Sequence, residues 1–143
     1  MGLLDSLYQE LVLEHYRKPR NHGALQPFDV REEGINPSCG DEVTLYLRFD
    51  GETIQDVSFE GEGCAISQAS ASMLTEAVKG LSSEAALALS QRFREMLHGA
   101  EPDRALGDLS LLRGVAKLPA RTKCAALPFS TLEVALGRGG PQG

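Results

Sequence analysis

The spacing of apolar residues changes period along the chain, and each change predicts an element. Leu4, Leu7, Leu11 and His15 recur at helical spacing in LLDSLYQELVLEHYRKPRN, which predicts an amphipathic first helix. Pro19 ends it, after a last turn whose Arg17 and Lys18 suit the negative end of the helix dipole. The next stretch, NHGALQPFDVREEG, is rich in breakers and predicts only a short strand around Phe28–Arg31. From Glu42 the pattern alternates: Val43, Leu45, Leu47 and Phe49 face one way, Thr44, Tyr46 and Arg48 the other. Asp50-Gly51 is a hairpin signal, and ETIQDVSFEG returns as a second strand. Ile54 and Val57 are out of step in it, which predicts a bulge.

After GEGC the period becomes helical. AISQASASMLTEAVKG predicts a helix stopped by Gly80. LSSEAALALSQRFREMLHG predicts another, capped by Ser82 or Ser83 and stopped by Gly99. EPDRALGD reads as a linker and LSLLRGVAKL as a short helix. PARTKCAALPFSTLEVAL predicts a last helix that starts at Pro119 and is loosened by Pro128, which has no N–H for the carbonyl of Cys124. A helix, a small meander and a run of helices predict an α+β fold, a small antiparallel sheet with helices packed on one face. Residues 1–137 are expected to form one domain and residues 138–143 a flexible tail.

Composition narrows the function classes. A chain of 143 residues with 42% hydrophobic and 24% charged residues suits one soluble core. A net charge of −6 argues against nucleic acid as the main partner, and no apolar run is long enough to cross a bilayer. MGLLDSLYQE does not read as a secretory leader, so a reducing, cytoplasmic setting is expected. There, the odd set Cys39, Cys64 and Cys124 points to metal binding or reactive thiols before disulfides.

Each cysteine falls at a junction between elements. Cys39 and Asp41 stand two apart around Gly40, just ahead of a strand, so in extended backbone they project to one side. Cys64 lies at a helix N-terminus, where unpaired N–H groups favour thiolate. Cys124 has Arg121 and Lys123 nearby, which favours thiolate too. Three thiolates and a carboxylate would complete a tetrahedral zinc site, or hold iron–sulfur, from widely separated segments. Three inert buried thiols and a purely structural zinc site satisfy the same spacing. His15 reads as a core or interface residue, His22 as solvated and His98 as a helix-end residue; none is assigned as a ligand. A zinc hydrolase or deaminase is disfavoured, since three thiolates leave a weak Lewis acid and no deaminase-like Glu stands beside the cysteines.

Taken together, EHYRKPRNHG, NPSCGDEVTLYL, FEGEGCAIS and LPARTKCAALPFSTLEVAL are similar to the NifU N-terminal/IscU family of iron–sulfur cluster assembly proteins. The resemblance implies an α+β fold and assigns Cys39, Asp41, Cys64 and Cys124 as metal and cluster ligands. Lys123 stands where IscU scaffolds carry a His, LPARTKC replaces a Leu-Pro-Pro-Val-Lys stretch, and the interval from Cys64 to Cys124 is extended through HGAEPDRALGD. These features resemble the SufU branch. That branch implies Zn2+ held by three Cys and an Asp, and persulfide sulfur accepted from a SufS/IscS-type cysteine desulfurase. One ligand thiolate would leave the zinc to attack the outer sulfur, replaced there by a partner His. Cys124 is the expected acceptor, with Arg121 assisting. The alternative implied by the family is a scaffold: Fe2+ in place of zinc, a transient [2Fe–2S] cluster, and transfer to downstream apo iron–sulfur proteins.

Overall fold

The computed structural model describes residues 3–38 and 40–139, with the side chains of residues 3–8, 138 and 139 left aside. Helix α1 spans Leu3–Arg17. Strands β1 (Val30–Asn36), β2 (Asp41–Asp50) and β3 (Thr53–Glu62) form an antiparallel sheet in that order. Helices α2 (Ala65–Val78) and α3 (Ser83–Leu97) follow, then a 3₁₀ segment over Arg104–Lys117, then α4 (Pro119–Gly139).

The expected hairpin forms at Asp50-Gly51, with Leu45 opposite Phe59 and Leu47 opposite Val57. The expected bulge is Gln55: Arg48 pairs with Asp56 and Phe49 with Ile54, leaving one extra residue on β3. Val43, Leu45, Leu47, Ile54, Val57 and Phe59 are buried, and α2 and α4 pack on the sheet and on each other. Burying each such side chain is worth about 1.5–3 kcal/mol. Phe93 of α3 stacks on Phe129 of α4 with ring centres 4.1 Å apart, tying α3 into the same core.

Two expectations are corrected. β1 starts later and runs longer than Phe28–Arg31. Its inward positions are Val30, Glu32, Gly34 and Asn36, too polar to display the period, while Ile35 points outward and is 60% exposed. Gly34 is there because a Cβ would overlap Thr131 of α4, so it lets that helix lie directly on the sheet. The linker and short helix are instead a 3₁₀ segment of two pieces joined at Gly107, whose φ of 54° breaks it. The expected last helix starts at Pro119 and continues through Pro128 to Gly139. A Ser70 hydroxyl on α2 donates to the Ala125 carbonyl at 2.7 Å, bracing α4 one turn before the proline. Of the apolar stripe on α1, Leu4 and Leu7 lie outside the described side chains; Leu11 packs on the core and His15 is buried.

Candidate metal centre

Asp41 opens β2 after a turn in which Gly40 adopts a φ of 72° and its N–H donates to the Asn36 carbonyl. A carboxylate at a strand end is ordinarily solvated. Asp41 is 0% exposed, because the strand runs under the start of α2. Its Oδ1 accepts the Cys64 N–H at 2.9 Å and lies 3.3 Å from the Ser67 hydroxyl. Its Oδ2 is also buried and has no hydrogen-bond partner among the described residues. A buried ionised carboxylate with one bare oxygen costs several kcal/mol unless a charge compensates it.

Cys64 caps α2, as its position in the sequence predicts: its Sγ accepts the Ser67 N–H at 3.5 Å. Gly63 makes the approach to Asp41 feasible, since φ there is 150° and a Cβ would overlap Asp41 Oδ1. Cys124, in the second turn of α4, points its Sγ toward the Ala120 carbonyl at 3.9 Å. One ligand atom each of Asp41, Cys64 and Cys124 lie within 4.8 Å of one another. Cys39 lies outside the described residues.

Tertiary folding thus brings together three of the four residues singled out, from a strand start and two helix N-terminal turns. The donor set fits a metal ion. Two sulfurs and a carboxylate oxygen, converging in a largely buried site, are donors that zinc or iron takes. Arg121, one turn before Cys124 and exposed, is the cationic edge of the site. The negative charge of Cys64, then hydrogen bonding and charge from Cys124, hold its guanidinium above its usual pKa. Those partners are sulfurs, not the carboxylate of a surface salt bridge.

Cys124 and Cys64 differ in exposure. Cys124 is 0% exposed, whereas Cys64 is half-buried. An incoming persulfide meets its nucleophile along the S–S axis, so attack by Cys124 would need its sulfur uncovered first. The histidines stay away from the centre. His15 Nδ1 is 2.7 Å from Ser72 Oγ, exposed His22 sets its ring edge-on to Phe59, and His98 caps α3 with Nδ1–H donating to the Arg94 carbonyl. The sequence reading passed over Ser67, which touches both Asp41 and Cys64; its only signal was a hydroxyl three residues into a helix capped by a ligand.

No helix among the described residues is long and apolar enough to cross a membrane. Residues 7–125 match the NifU-like N-terminal domain family. The chain is 48% identical over 132 residues to the zinc-dependent sulfurtransferase SufU of Bacillus subtilis, covering 91% of this chain and 89% of that one. It is 44% identical over 140 residues to the iron–sulfur cluster assembly scaffold protein IscU of Streptococcus pyogenes, covering 96% and 87%. Among solved structures, a candidate SUF-system assembly scaffold from Fervidobacterium islandicum AW-1 superposes with a TM-score of 0.87 at 42% identity, over 94% of this chain and 99% of that one. A NifU-like N-terminal protein from Brucella abortus, 24% identical, shares the fold with a TM-score of 0.85 over 96% of each chain. A strand-start aspartate meeting two helix-borne cysteines, on this fold and with this degree of identity, places the chain in the NifU-like N-terminal domain family.

Proposed function

We propose that this protein serves iron–sulfur cluster assembly as a zinc-holding acceptor of persulfide sulfur from a cysteine desulfurase. One observation carries the reading: a carboxylate oxygen of Asp41 lies within 4.8 Å of the sulfurs of Cys64 and Cys124, and Asp41 Oδ2 is buried with no hydrogen-bond partner among the described residues. Cys39, Asp41, Cys64 and Cys124 would hold the ion. Bound zinc supplies charge compensation and keeps the thiols deprotonated. The chain's own residues do the rest. Asp41 is the harder, more exchangeable ligand, which suits a site built to open. Arg121 stands at the exposed edge, where its charge draws in an anionic persulfide.

Cys39 is proposed as the acceptor in place of the expected Cys124. Its sequence neighbours Ser38 and Gly40 are exposed. Cys64 caps α2 and Cys124 is covered. In the transfer, the acceptor thiolate attacks the outer sulfur of the donor persulfide. A new S–S bond forms, the donor's S–S bond breaks, and the donor leaves as thiolate, with no net oxidation.

The test is incubation with a SufS/IscS-type desulfurase and cysteine, followed by intact and peptide mass analysis. A gain of one sulfur mapped to Cys39, abolished in Cys39→Ser and slowed about tenfold in Arg121→Glu, is the expected result. A second reading, assembly of a [2Fe–2S] cluster for transfer to apo iron–sulfur proteins, draws on the names of the IscU relatives. A stable cluster after anaerobic reconstitution, with no sulfur gained from the desulfurase, would favour it.

A further inference from the structure

We infer that Ser67 is a positioning residue that selects which oxygen of Asp41 the metal receives, an inference that rests on the metal-holding reading above. Ser67 is 3% exposed and spans two of the expected ligands. Its N–H donates to Cys64 Sγ at 3.5 Å, and its hydroxyl lies 3.3 Å from Asp41 Oδ1 and 3.0 Å from the Cys64 carbonyl. The hydroxyl has one proton and two acceptors in reach. The carboxylate oxygen is a stronger acceptor than the peptide carbonyl, so the proton turns to Oδ1. With the Cys64 N–H at 2.9 Å, Oδ1 then accepts two hydrogen bonds. Oδ2 has none among the described residues.

The two oxygens therefore differ before any ion arrives. Oδ1 is tied to protein donors and shielded by Gly63, whose missing Cβ leaves it room. Oδ2 is buried and left without a donor among the described residues, so it is the oxygen that Asp41 would offer to an ion. Hydrogen bonding that orients a ligand in this way changes metal affinity by about ten- to a hundredfold in other sites.

The experiment compares the full-length wild type with Ser67→Ala and Ser67→Thr, using zinc competition against a chromophoric chelator and the absorption spectrum of the cobalt(II) form. Thermal unfolding of each metal-free protein runs alongside. Ser67→Ala keeps the backbone N–H to Cys64 and removes only the hydroxyl. The expected result is a loss of about tenfold in zinc affinity and a changed cobalt band, with metal-free stability near wild type. Ser67→Thr, which keeps a hydroxyl, restores the wild-type band. Equal affinity and identical bands in wild type and Ser67→Ala overturn the inference while leaving the metal reading intact. So does a loss of affinity that tracks a loss of metal-free stability with no change in the band, since that marks a structural role. A wild-type protein that binds neither ion overturns both.

Discussion

Substituting Gly63 by alanine tests how the centre is built. The backbone there has a φ of 150°, which L side chains rarely adopt, and an added Cβ would overlap Asp41 Oδ1 and stand 2.9 Å from Ser67 Oγ. The clash is not relieved by a small rotation. Asp41 has a short side chain, is wholly covered, and its Oδ1 holds the Cys64 N–H, so moving it strands a buried donor. Backbone strain costs about 1–3 kcal/mol and overpacking about 1–3 kcal/mol. Local yielding of the β3–α2 junction brings the expected total to about 2–4 kcal/mol. At roughly 2.1 cal/mol/K per residue, the unfolding entropy of 143 residues is roughly 300 cal/mol/K, so Tm falls by about 7–13 °C. The assay is calorimetry and urea unfolding of the metal-free, reduced protein. Gly51→Ala is the control, because φ there is 63° but an added Cβ meets nothing within 4 Å, leaving only a backbone cost of about 1–2 kcal/mol. If Gly63→Ala cost no more than Gly51→Ala, and zinc affinity were unchanged, the crowding argued for Asp41 would be wrong.

Chelation with EDTA under reducing conditions should change the far-UV helical signal by less than about a tenth, because the apolar core is built from side chains other than the ligands; unfolding on chelation would make the centre structural. Stability should also depend on pH through His15. Burial, then the charge of Arg20, lowers its pKa below the ordinary 6.5, outweighing Glu76, Glu14 and Asp108. The unfolded chain then takes up a proton first, so the His15 contribution is complete above about 6.5 and is lost as pH falls from there through the folded pKa. Urea midpoints measured across that window should fall in the wild type and flatten in His15→Gln; equal slopes would refute the assignment.

The sequence by itself determined the elements whose signal is local. Alternation and Asp-Gly made the β2–β3 hairpin legible, the misfit of Ile54 and Val57 announced the bulge, and Ser82 and Gly80 marked helix ends, because each obeys a rule about its own backbone. β1 was only partly legible: its inward residues include Glu32, Gly34 and Asn36, and Gly34 is explained by Thr131, 97 positions away. The candidate ligands were legible as residue types at junctions, but not their roles. Only tertiary structure decided that Asp41 is buried with one oxygen bare among the described residues, that Cys124 is covered while Cys64 is half-buried, and that Arg121 takes the sulfurs as its partners. Exposure and the partners of a charge belong to surfaces that meet across distant segments. Local spacing carries no record of them, because they come into being only when β2, α2 and α4 pack together.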